Sequence, residues 1–214
     1  AAIPLSSVIG GPVSGWILDG THLAFGLKGW QWLFILEGIP SIIVGIVVLI
    51  FLRDKPAQVS WLTPQERAAV TARLDEERVK REAIRKYSLC ESLTNPRILL
   101  LGLVYFGLVC GNYGLGYWLP TIVKGVITTL QLDKTSGVPL NTMTGYLIAI
   151  PYAFAVVAMI WWTKRSDTKQ ERVFHVAAPA IFGGLALIAA AYLTNPFLAG
   201  IAVTLCAMGT YAAI

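Results

Sequence analysis

The feature that most constrains this chain is residues 98–123, which contain no Asp, Glu, Lys, Arg or His. Wound into a helix at 1.5 Å per residue, so long an uncharged run exceeds the roughly 30 Å hydrocarbon core of a bilayer. Comparable apolar runs cover residues 1–18, 30–52, 143–163 and 173–193, and another starts after Asn195-Pro196. Backbone polar groups exposed to lipid find no water to bond, so each run is expected to be a helix. Composition agrees: 56% of residues are hydrophobic and 14% charged, where a soluble domain carries about a quarter charged. The expected fold class is an all-α integral membrane protein with six spans.

Residues 53–97 break the pattern, with ten of the seventeen Lys and Arg and seven of the twelve Asp and Glu. Within them, Thr63-Pro64-Gln65-Glu66 is a helix start: Thr63 suits the cap, Pro64 the first helical position, and Glu66 the return bond to the cap. The helix is expected to run to about Lys86. Glu76/Lys80, Glu77/Arg81 and Glu82/Lys86 offer acid-first pairs at i,i+4. A solvated linker between two sets of spans is the reading. Residues 19–29 and 124–142 are expected to be polar loops, with Pro120 ending the span before the second. Residues 164–172 are expected to be a short charged loop.

The distribution of Lys and Arg sets orientation. Residues 53–97 and 164–172 hold fourteen, while the opposite loops hold three, Lys28, Lys124 and Lys134. The fourteen are placed in the cytoplasm, which accounts for the net charge of +5 without nucleic acid. The lipid bilayer is the implied partner; no obligate protein partner is inferred. The chain begins without Met and stops within an apolar run, so a piece of a longer protein is expected.

No enzyme site is legible. His22 and His175 are isolated, Cys90, Cys110 and Cys206 have no metal-ligand spacing, and there is no nucleophile elbow or phosphate-cradling loop. No catalytic residue, metal or cofactor is expected. Glu37 lies well inside a span and is a candidate proton carrier, since intramembrane carboxylates are costly. Asn112 and Tyr113 are polar groups in the uncharged 98–123 span, with Gly107, Gly111, Gly114 and Gly116 around them. They are the leading candidates to touch a polar solute, and Tyr117 and Tyr211 complete the candidate set. Tyr146, Tyr152 and Thr210 are weaker versions of the same idea. Asp167, between Arg165 and Arg172, suits a charge network in its loop. Gly11, Pro12 and Gly15 suit close helix packing, since small residues four apart share a helix face.

Several strings are similar to a known family. Gly29-Trp30-Gln31-Trp32-Leu33-Phe34-Ile35-Leu36-Glu37-Gly38-Ile39-Pro40 resembles helix 6 of the anion:cation symporter family within the major facilitator superfamily, as does the exit Leu52-Arg53-Asp54-Lys55-Pro56. Asn112-Tyr113-Gly114-Leu115-Gly116-Tyr117-Trp118-Leu119-Pro120 resembles its helix 7, and Gly10-Gly11-Pro12-Val13-Ser14-Gly15 the superfamily's glycine-proline motif in helix 5. Ser166-Asp167 is similar to the core of the superfamily's loop 8–9 signature, with Thr163 and Gln170 at its flanking glycine positions.

The resemblance implies helices 5 to 10 of a twelve-helix, two-bundle transporter. Residues 1–52 would end the N-terminal bundle, 53–97 would be the central cytosolic loop, and 98–214 would start the C-terminal bundle. It implies proton-coupled uptake of an organic anion, such as a sugar acid, a tartrate-like dicarboxylate or an aromatic acid, by alternating access in a cell membrane, with a bacterial inner membrane as the expected setting. A transporter of the same fold for a neutral or cationic solute is the alternative. A channel and a membrane sensor or scaffold are the other classes weighed.

Overall fold

The computed structural model describes residues 2–55, 58, 59, 61–83 and 88–214, and the regular structure among them is helical throughout. In chain order the helices are α1 (Ala2–Gly20), α2 (Gly29–Phe51), α3 (Pro64–Glu82), α4 (Leu89–Thr94), α5 (Pro96–Thr129), α6 (Leu132–Ser136), α7 (Leu140–Lys169), α8 (Val173–Tyr192) and α9 (Pro196–Ala213). Among the described residues α2, α5, α7, α8 and α9 are long and apolar enough to cross a membrane. The expected first span, α1, is a helix of 19 residues but is not one of these five. Ser6, Ser7, Ser14, Asp19 and its glycines make it less apolar, and they serve a cavity and a neighbouring helix instead.

Helix starts follow local chemistry. Thr63 and Glu66 form the expected capping box: the Glu66 N–H donates to Thr63 Oγ1 (3.3 Å) and the Thr63 N–H donates to Glu66 Oε2 (3.0 Å). These bonds from Thr63, backbone first, hold the Glu66 carboxyl below its ordinary range. Asn95 and Asn195 repeat one device before Pro96 and Pro196. Asn95 Oδ1 accepts from the Arg97 N–H (3.0 Å), and Asn195 Oδ1 accepts from the N–H groups of Phe197 (2.9 Å) and Leu198 (3.3 Å). Each side chain satisfies a donor that the first helical turn leaves free.

Three expectations are corrected. Pro120 does not end its span: α5 runs on to Thr129, and α6 and the start of α7 occupy most of the expected 124–142 loop. Proline removes one helical hydrogen bond, but a membrane helix keeps its other backbone bonds because nothing else is there to make them. Second, residues 164–169 are the last turns of α7, so the charged loop shrinks to residues 170–172. Gln170 turns the chain there with φ +52°, the left-handed conformation that favours glycine. Third, Glu76 pairs with Lys80 (2.7 Å) as expected, but Glu77 pairs with Arg73 (3.9 Å) and Glu82 with Arg78 (2.9 Å), base first. Lys86 lies outside the described residues.

The chain divides into two compact units, residues 35–101 and residues 1–34 with 102–214. In the first, α3 has no buried residue and is a solvated helix. In the second, α1 crosses α7 where both are thin. A Cβ on Gly11 would sit 3.0 Å from the Gly145 carbonyl oxygen, one on Gly145 would run into the Gly11 carbonyl, and one on Gly15 into that of Asn141. Apolar burial contributes little between helices already in lipid, so such close approach and interhelical hydrogen bonds hold them. The buried cluster joins Leu115 and Leu119 of α5, Tyr152 and Ala155 of α7, Ala186 of α8, and Val203, Cys206, Ala207 and Tyr211 of α9.

Candidate functional site

Between α1, α5 and α7 lies a cavity of about 780 Å³. Each helix contributes a thirteen-residue stretch, from Ser6 to Leu18, Gly116 to Thr128 and Leu140 to Tyr152, so the groove is roughly 18 Å long at 1.5 Å per residue step. Two other cavities, of about 640 and 460 Å³, are lined almost wholly by apolar side chains of α5, α7, α8 and α9. The first differs in its polar lining, which includes Ser6, Ser14, Thr121, Lys124, Thr144 and Tyr152.

The continuation of α5 past Pro120 builds this wall. Proline has no N–H to offer the Gly116 carbonyl one turn earlier, and both residues line the cavity. Thr121, Lys124, Gly125 and Thr128 follow on the same face at three- and four-residue spacing. Lys124, expected in an outer loop, is instead a half-buried helical residue whose side chain lines the cavity. Reading Pro120 as an interior proline would have placed it there, since it stands one turn beyond Pro120 and two beyond Gly116.

Beside one end of the cavity lies a clasp that sequence reasoning missed. Asp19, at the end of α1, accepts from Asn141 Nδ2 (2.6 Å), the Thr142 N–H (2.7 Å) and Thr142 Oγ1 (2.8 Å) at the start of α7. The carboxylate thus caps a helix that begins more than a hundred residues later and complements the positive end of its dipole.

The anticipated solute-contacting residues are dispersed. Asn112 is half-buried on α5. Tyr113 and Tyr117 stack with centroids 6.1 Å apart and are 58% and 74% exposed, on the side of α5 away from buried Leu115 and Leu119. Tyr211 is 3% exposed, with its ring edge-on to Tyr152 at 5.8 Å, and Thr210 is buried beside it. Of these candidates Tyr152 alone lines the polar cavity. Tyr146 is exposed on α7, and Glu37 is exposed on α2 in the other unit.

At the far end of α7, no ion pair among the described residues joins Asp167 to Arg165 or Arg172. The Arg165 guanidinium lies over the Trp161 ring, 5.9 Å from its centroid, and the Asp167 carbonyl accepts from Gln170 Nε2 (2.8 Å). The acid engaged is Glu171. It accepts from the Phe174 N–H (2.8 Å) and meets His175 Nδ1 at 2.9 Å. The Phe174 bond first, then the His175 side chain, lowers its carboxyl below the ordinary range. His175 is 5% exposed and lies 5.1 Å from the Trp162 ring, whose Nε1–H donates to the His175 carbonyl (2.7 Å). Among the described residues no group of His, Cys, Asp and Glu is arranged to hold a metal ion.

Comparison with known proteins places these features in a family. The family model described as Major Facilitator Superfamily matches residues 1–214. A protein of Agrobacterium vitis named as a tartrate transporter is 37% identical over 210 residues, covering 98% of this chain and 44% of the relative. A protein of Pseudomonas putida named as the metabolite transport protein NicT is 35% identical over 187 residues, 86% of this chain and 40% of the relative. A quinolone resistance transporter of Acinetobacter baumannii is 28% identical over 193 residues, 90% of this chain and 42% of the relative. The chain spans less than half the length of these relatives.

Proposed function

The chain belongs to the major facilitator superfamily, a multi-pass membrane transporter and not an enzyme, and from that premise we propose that it forms part of a proton-coupled importer of an organic anion. The observation that carries the reading is the polar cavity between α1, α5 and α7, since hydroxyls and a lysine are expensive inside a membrane protein unless they serve a solute or an ion. The names of the Agrobacterium relatives, tartrate transporters, support an anionic substrate. The charge asymmetry supports a cytoplasmic side for residues 53–97 and the α7–α8 turn. The bacterial relatives favour an inner membrane.

In this reading α1 and α2 end one helical bundle, residues 53–97 link it to the next, and α5 to α9 begin the second. The α1–α7 crossing then joins the two bundles. Gly11, Gly15 and Gly145 let the helices roll at close range, and the Asp19 clasp, beside one end of the cavity, would act as a gate on the side opposite the charged loops. Alternating access would require that clasp to open while the glycine crossing persists. Asn112 and Tyr113 remain proposed contacts for the part of the site that the second wall completes, and Glu37 a proposed proton carrier.

The test uses the full-length protein in proteoliposomes under an inward proton gradient, with radiolabelled carboxylates, sugars and amines. Accumulation of a carboxylate, abolished by a protonophore, is expected. Downhill equilibration alone would refute proton coupling, and accumulation of an amine or sugar in its place would refute the anion.

A further inference from the structure

We infer that Lys124, with the Thr121 hydroxyl one turn before it, is the carboxylate-binding end of the α1/α5/α7 cavity, and that the cavity selects hydroxylated carboxylates over apolar ones. The inference rests on the transporter reading above and adds to it a residue and a substrate chemistry.

Charge is the first observation. Lys124 is half-buried, and among the described residues no carboxylate pairs with it. The Asp19 carboxylate at the end of α1 is already held by three donors from α7. An ammonium on a half-buried residue, with no carboxylate partner among the described residues, is electrostatically poised for an anion, and a charge-assisted bond there is stronger than a neutral one. Thr121 supplies a second donor on the same face, with its hydroxyl uncommitted among the described residues.

The second observation concerns where the hydroxyl protons go. Ser6 Oγ donates to the Ile3 carbonyl (2.7 Å), Thr144 Oγ1 to that of Leu140 (2.6 Å), and Thr128 Oγ1 to that of Gly125 (2.9 Å). Each proton is spent on its own helix, so each oxygen presents lone pairs to the cavity. The Gly116 carbonyl, freed by Pro120, is one more acceptor. Such a wall repels a carboxylate and welcomes donors. A ligand that pairs one carboxylate with Lys124 and Thr121 and offers hydroxyl protons along the remaining wall satisfies both halves. An aromatic acid leaves the acceptors without donors, which costs affinity.

The experiment compares wild type, Lys124→Gln, Lys124→Arg and Thr121→Val of the full-length protein, each purified and checked for an unchanged ligand-free melting temperature. Tartrate, gluconate, succinate and benzoate are added separately, and the melting shift is read as binding. Tartrate or gluconate is expected to give the largest shift. Lys124→Gln should weaken that binding about tenfold or more, the factor expected for one charge-assisted bond. Lys124→Arg should restore most of it, and Thr121→Val should have a smaller effect.

Equal shifts for succinate and tartrate, or benzoate above both, would overturn the hydroxyl selectivity. An unchanged titration in Lys124→Gln would return Lys124 to an interfacial lysine reaching for water and overturn the site. No shift with any of the four in wild type would overturn both. Because the readout is binding, it is independent of proton coupling. Carboxylate uptake with normal KM in Lys124→Gln proteoliposomes would refute this inference and leave the transporter reading standing.

Discussion

The two ends of α7 use the same chemistry for different purposes. At its start, Asp19 of α1 receives two side-chain donors and a backbone N–H across a separation of 122 or 123 residues. Just past its end, Glu171 receives the Phe174 N–H and meets His175, three and four residues on. Each is a carboxylate at the positive end of a helix dipole. The first ties two distant helices together and vanishes when they part. The second is a local cap, indifferent to whether distant parts of the chain meet. A carboxylate cap therefore acts as a tertiary clasp only where the donor helix belongs to another part of the fold.

The largest effect is expected from the crossing that brings Asp19 to its donors. Gly145→Val would place side-chain atoms against the Gly11 carbonyl, and overpacking of that kind costs about 1–3 kcal/mol or more. The melting temperature of the full-length protein should fall, with loss of folded protein in the membrane. An unchanged melting temperature would show that α1 and α7 pack elsewhere.

Asp19→Ala comes next. Hydrogen bonds to a charged acceptor contribute about 1.5–3 kcal/mol each, with partial replacement by water at this half-buried site, so about 2 kcal/mol in all is expected. The more specific readout is a cysteine placed at Leu140, which lines the cavity beside the clasp. Its labelling should rise in Asp19→Ala and stay unchanged in Glu171→Ala. Equal labelling in the two variants would erase the difference between clasp and local cap.

The local cap should show itself in pH. The carboxyl of Glu171 is held below its usual value of 4.5, so its contribution is present above that value and is lost as pH falls through the lowered one. Melting temperature should therefore drop below about pH 4.5 in wild type, and the drop should be shallower in Glu171→Gln. A parallel acid limb in both proteins would assign the loss to other carboxylates.

The smallest effect belongs to Gln170, whose φ of +52° is strained for a residue with a Cβ. Gln170→Gly relieves the left-handed strain, roughly 1 kcal/mol, but gives up the 2.8 Å bond to the Asp167 carbonyl. A gain of a few tenths of a kcal/mol is expected, read as a small rise in melting temperature. A clear fall would mean that the side-chain bond outweighs the backbone strain.

What the sequence by itself determined was whatever depends on a few neighbouring residues or on the solvent. The spans follow from the exclusion of charge by hydrocarbon, the Thr63 cap from chemistry within four residues, and the family from strings such as those around Glu37 and Asn112. Pro120 was misread because the local rule for a helix breaker assumes water is available to take the freed carbonyl. Tertiary structure decided the rest. It placed Lys124 on a cavity wall, buried Tyr211 against Tyr152 and left Tyr117 outside. It also chose Asp19 as the partner of a helix that starts at Leu140. No local pattern encodes those outcomes, because each depends on which faces of distant helices meet and how closely their glycines let them approach.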